Sequence, residues 1–184
     1  MTILKGYRES LVVIGGWVPY FLLEAHKSTD IDFVHIGSVD IDLVIDPKVI
    51  DEEKYETIAG MLLGKEYKLS KEILYQFERT VTSDVDGKEY TVRIDFLTPQ
   101  PPRGKGQARR HRQIQPDLKA RNLPGAEIAL QLNQKVPLAG VLPGNGETRL
   151  EFKMADLAGF LALKGIAFGK RYREKRCLRY LLNL

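Results

Sequence analysis

Apolar and polar residues alternate with a period of two in two stretches of this chain. Val39, Ile41, Leu43 and Ile45 alternate with Asp40, Asp42, Val44 and Asp46. Val92, Ile94 and Phe96 alternate with Arg93 and Asp95. Such alternation predicts half-buried strands over 39–45 and 89–97. A third strand is expected near 72–81, joined to the second by a turn at Asp84-Val85-Asp86-Gly87. The apolar run Leu11-Val12-Val13-Ile14 precedes Gly15-Gly16 and a short helix to about Glu24. Tyr55, Ile58, Met61 and Leu62 are at helical spacing behind the acidic start Asp51-Glu52-Glu53. Ala126 to Asn133 reads as a strand or a short helix. Strands are expected over Val136–Leu142 and Thr148–Phe152, and a helix over Met154–Phe168. The order of elements is that of an α/β (α+β) chain with a mixed sheet flanked by helices.

The alternation places Asp40 and Asp42 on one strand face, about 7 Å apart at Cα. Acidic residues are poor strand formers, and two on one face repel unless a positive charge lies between them. A divalent cation with oxygen ligands supplies that charge. Asp95, on the polar side of its own strand, joins the pair if the two strands are neighbours. Three such carboxylates suit Mg²⁺, which keeps waters and substrate phosphates in its shell. The plainer reading makes them solvated strand positions. Gly15-Gly16 lets a backbone approach a ligand closely and leaves N–H groups for phosphate, although a simple strand-to-helix turn has the same composition. A second pair, Asp30-Ile31-Asp32, is read as polar loop because its run ends at His35-Ile36-Gly37.

Composition narrows the classes. The 184 residues, 43% of them hydrophobic, suffice for one sizeable core. No apolar run is long enough for a bilayer, and Lys5, Arg8 and Glu9 break up any signal-peptide layout. A single Cys177 and three histidines argue against disulfides and zinc, and a reducing cytoplasm is expected. No Walker A loop or Gly-x-Ser-x-Gly elbow occurs. The net charge of +4 is uneven: from Lys170 onward six basic residues face one acidic. A second basic stretch, Pro101 to Arg121, holds Arg103, Lys105, Arg109, Arg110, Arg112, Lys119 and Arg121. Its Pro, Gly and Gln content reads as a loop, either a solvated connector or a guide for RNA or pyrophosphate.

Taken together, Ile14-Gly15-Gly16-Trp17, Ser38-Val39-Asp40-Ile41-Asp42 and the later Asp95 resemble the DNA polymerase β-like nucleotidyltransferase superfamily. Within it they most resemble the AbiEii-type enzymes of abortive-infection and type IV toxin–antitoxin systems. Lys153 to Lys175 is similar to that family's later helix, with Asp156 and Lys164 at its Asp…Lys positions. The resemblance spans about Leu11 to Lys175 and departs from the family in a longer gap before Asp40. It implies a polymerase β-like core over 1–152 and the start of a helical region over 153–184. It also implies transfer of a nucleoside monophosphate from an NTP to a hydroxyl with two Mg²⁺ ions, or Mn²⁺ in their place. The acceptors it leaves open are tRNA or another RNA, a protein side chain, and a small molecule such as an aminoglycoside. A cognate antitoxin belongs to the same implication, and a membrane does not. By this resemblance Gly15, Gly16 and Ser38 face the nucleotide, and Asp40, Asp42 and Asp95 bind metal. Asp95 also polarises the attacking hydroxyl, and Lys164 contacts phosphate.

The last residues break the pattern. The family continues Lys-Asp-x-Tyr-Asp, whereas this chain reads Lys175-Arg176-Cys177-Leu178-Arg179-Tyr180-Leu181. One permitted encoding, AAA AGA TGC CTA CGA TAT TTA, loses a single A to give Lys-Asp-Ala-Tyr-Asp-Ile. A one-base frameshift near Lys175 is therefore expected. It leaves a truncated helical region and an inactive nucleotide- or RNA-binding module as the rival to an enzyme.

Overall fold

A computed structural model describes residues 2–26, 38–50, 56–83, 86–101, 110–142 and 146–182. The side chains of 141–142, 171 and 173–182 are outside that description. The chain forms β1 (Leu11–Ile14), α1 (Trp17–Ala25), β2 (Asp40–Ile45), α2 (Ile58–Leu63), β3 (Lys68–Leu69) and β4 (Gln76–Thr82). It continues as β5 (Glu89–Pro99), β6 (His111–Gln115), β7 (Leu118–Leu123), α3 (Ala126–Gln131), β8 (Asn133–Leu142), β9 (Gly146–Ala155) and α4 (Leu157–Leu182).

All nine strands share one mixed sheet, ordered β3-β4-β5-β2-β1-β9-β8, with β7 also on β5 and β6 on β7. β2 runs parallel to β5 and antiparallel to β1, while β1 is parallel to β9. All four residues of β1 are buried, as expected of an apolar run central to a sheet covered on both faces. The Leu43, Val44 and Ile45 end of β2 is likewise buried on both faces, while Asp40 at its other end is exposed. The strand therefore begins at solvent and ends in the core, with Asp40 exposed and Asp42 half-buried between the two. Leu43, Ile45, Phe77 and Phe96 are among the fully buried side chains, with Phe77 and Phe96 edge to face.

Three expectations change in detail. The strand near 72–81 starts only at Gln76, because Gln76 N–H closes a turn onto the Ile73 carbonyl. The basic stretch 101–121 is not one loop: its second half is the β6–β7 hairpin, while 102–109 lie outside the described residues. In β7 buried Leu118, Ala120 and Asn122 alternate with exposed Lys119 and Arg121, a period of two that charge and turn composition had obscured. The helix expected over Met154–Phe168 runs instead from Leu157 to Leu182, because Met154 and Ala155 belong to β9, where both are buried. The packing of Leu178, Leu181 and Leu182 lies outside the described residues, as does the pair Asp30/Asp32.

A buried polar relay ties the N-terminus to α2 and β6. Tyr7 Oη donates to the Glu56 carbonyl at 2.8 Å and accepts from Gln115 Nε2 at 2.9 Å. Gln115 Oε1 in turn accepts from the first N–H of α2, that of Ile58, at 3.0 Å. Replacing one member strands the others in a buried setting, so Gln115→Leu should cost about 1–3 kcal/mol in urea unfolding. A neutral result would mean the relay adds nothing.

Candidate functional site: a carboxylate pair beside a glycine turn

The parallel register of β2 on β5 pairs Asp42 with Asp95. Directly paired residues point to the same face, so both carboxylates stand side by side, on strands about 4.8 Å apart. Gln76, paired with Asp95 from the other side, donates from Nε2 to Asp95 Oδ1 at 2.7 Å. Asp40, one pleat further out, pairs with Arg93 and takes its guanidinium at 3.5 Å, in an exposed contact.

Burial raises the Asp42 pKa from its ordinary 3.8 to about 6, with the negative charges of Asp95 and Asp40 adding to the shift. Lys164 on α4 and Arg121 on β7 oppose it. Burial also raises Asp95; the Gln76 hydrogen bond pulls the other way. Two adjacent carboxylates thus stay short of compensating charge even with these cations in range.

The glycine turn abuts the pair. Gly15 has φ +77°, and a Cβ built there would overlap the Asp42 carboxylate, with Cγ at 3.0 Å. A Cβ on Gly16 would meet Ser38 Cβ at 2.9 Å and Oγ at 3.0 Å. The absent side chains keep the backbone at the start of α1 hard against Asp42 and Ser38.

The fold thus brings together Asp42, Asp95, Gly15, Gly16 and Ser38, with Lys164 within electrostatic reach of Asp42. Asp40 lies on the same face and is engaged by Arg93. Asp156 is elsewhere: its carboxylate caps α4, accepting from Gly159 N–H at 2.8 Å. Among the described residues no three His, Cys, Asp or Glu side chains are grouped as a ready ion cage. The donor chemistry of the Asp42–Asp95 pair fits one hard cation, since a divalent ion would offset both the burial that raises each carboxyl and the charge that Asp95 and Asp40 place beside Asp42.

Gln76 and Arg121 act at the site in ways that strand alternation did not show. Counting back along the hairpin from the turn near Gly87 pairs Gln76 with Asp95, a signal that was present in the spacing. Arg121 is reached through β7, paired with Leu97 two residues beyond Asp95 and so on the same face.

The raised Asp42 carboxyl has a consequence for stability. Its folded form holds a proton more tightly than the unfolded chain, so its favourable contribution is complete below about pH 3.8 and is lost as pH rises to about 6. At neutral pH its ionisation in the metal-free protein costs up to about 3 kcal/mol. The difference in Tm between Asp42→Asn and wild type should be more positive at pH 7 than at pH 4. A pH-independent difference would show that Asp42 ionises normally.

No protein-family model, curated protein or solved structure significantly matches this chain. The chain is a mixed α+β protein with a carboxylate pair at a glycine turn. Among the described residues no helix is long and apolar enough to cross a membrane.

Proposed function

We propose that the chain has a polymerase β-like core of the AbiEii type and transfers a nucleoside monophosphate from an NTP to a hydroxyl acceptor. The observation that carries this is the register that stands Asp42 beside Asp95 against the Gly15–Gly16 backbone. The backbone N–H groups of the turn and the N-terminus of α1 hold the triphosphate. Asp42 and Asp95, joined by Asp40, hold Mg²⁺. The metal, when bound, offsets charge developing on the phosphate oxygens. Asp95, its proton affinity raised and its carboxylate fixed by Gln76, orients the acceptor hydroxyl and takes its proton. The hydroxyl oxygen bonds to the α-phosphorus as the bond to the β-phosphate oxygen breaks, and pyrophosphate leaves. Lys164 and Arg121 balance phosphate charge. A toxin role with a cognate antitoxin is part of the same proposal and rests on the sequence resemblance.

One observation favours a second reading. Asp40 is engaged by Arg93, and no three-carboxylate group is assembled among the described residues, as suits a module that binds nucleotide or RNA without turnover. Label transfer separates the two. With Mg²⁺ and RNA, label from α-labelled NTP should enter the acceptor while γ-label leaves as pyrophosphate. Nucleotide affinity with no α-label in any acceptor would support the binding module.

A further inference from the structure

A cavity of about 560 Å³ opens between the residues before β4, the β6–β7 hairpin and α4. Its lining includes Tyr75, Arg110, His111, Arg121, Lys170 and Glu72. Tyr75 and His111 are stacked, with ring centroids 5.4 Å apart and planes 30° from parallel. The Arg121 guanidinium lies 5.9 Å from the Tyr75 ring centre. Three cations and one carboxylate thus line the cavity beside a stacked aromatic pair, in a volume typical of small-ligand sites, about 300–1,000 Å³.

The register places this cavity relative to the candidate site. Asp95 and Leu97 share a face of β5, Leu97 pairs with Arg121, and Arg121 pairs with His111. Arg121 and His111 therefore stand on the face that carries Asp42 and Asp95, and Tyr75 directly precedes Gln76, which holds Asp95. The cavity is on the β4/β7 flank of the carboxylates, and the glycine turn follows β1 on the other flank. In-line displacement needs donor and acceptor on opposite sides of the reacting phosphorus.

We propose that this cavity is the acceptor subsite, holding an unpaired nucleotide of single-stranded RNA. Its base stacks on an outward face of the Tyr75–His111 pair, and its flanking phosphates pair with Arg110, Arg121 and Lys170. Aromatic stacking within a basic groove is how single strands are held, and a duplex keeps its bases out of such a cavity. The assignment rests on the nucleotidyltransferase reading for the role of the bound strand, while the binding itself is measurable without turnover.

The test is fluorescence anisotropy of a labelled ten-nucleotide single-stranded RNA, without NTP or metal, on the full chain. Arg110→Ala with His111→Ala should weaken RNA binding at least tenfold. The slope of log affinity against log salt should become shallower by about 0.7 for the lost phosphate contact. Binding of a fluorescent ATP analogue in Mg²⁺ should be unchanged. Lys170→Glu, from a different element, should weaken RNA binding as well. Unchanged RNA affinity in both variants would overturn the proposal. So would loss of ATP-analogue binding with RNA binding intact, which would make the cavity the donor's. RNA binding that depends on these residues, in a protein that transfers no label, would sink the nucleotidyltransferase reading and leave the binding site standing. Label transfer that survives both variants with unchanged KM for RNA would do the reverse.

Discussion

Asp42→Asn should lower nucleotide transfer about a thousandfold, equivalent to ~4 kcal/mol of barrier, while leaving the fold intact. The side chain keeps its volume and loses its charge, so packing in β2 is conserved. In the metal-free protein at neutral pH the variant should melt at the same temperature as wild type or higher, since an ionised carboxylate beside Asp95 is relieved. Added Mg²⁺ should raise the Tm of wild type and not of the variant. These three readouts separate a ligand from a structural residue. Asp42→Asn with a large loss of metal-free stability would make the carboxylate a structural group, and full activity would remove it from the chemistry.

Gly15→Ala should be nearly as damaging, by a different route. The position has φ +77°, and the added Cβ would overlap the Asp42 carboxylate. Backbone strain and the displaced side chain together should cost about 1–3 kcal/mol in urea unfolding. Transfer should fall more than a hundredfold, because the turn and the carboxylate move apart. Gly140→Ala is the matched control: it lies in β8 with no atom within 4 Å of a built Cβ, and should be close to neutral. Equal effects of the two substitutions would show that the Gly15–Asp42 contact has no special role.

Much of this arrangement was legible in the alternation of residues. The apolar run at 11–14, the strands at 39–45 and 89–97 and the helix after Gly15-Gly16 correspond to β1, β2, β5 and α1. Each has a local cause, either a period of two or a glycine break. The parallel contact between β2 and β5 was not legible. No short turn links parallel strands, so nothing in the spacing chooses the register that pairs Asp42 with Asp95. The antiparallel partner Gln76 was recoverable, because a hairpin fixes its own register. The β6–β7 hairpin was hidden because Lys119 and Arg121 dominate the composition where Leu118 and Ala120 supply the burial. Burial on both faces of β2 at Val44 also departed from the alternation, which placed that residue on the polar side. The sheet is covered there, and α3 packs near β1, β2 and β5.

Asp42 and Asp95 together should hold an ion next to a triphosphate. A crystal of the protein with Mn²⁺ and a non-hydrolysable NTP analogue tests this through the anomalous signal of manganese. The predicted result is a peak within about 2.5 Å of a carboxylate oxygen of each aspartate, typical of a hard-cation contact, with the triphosphate lying along Gly15 and Gly16. Nucleotide bound elsewhere, or bound here with no manganese between the two carboxylates, would contradict it.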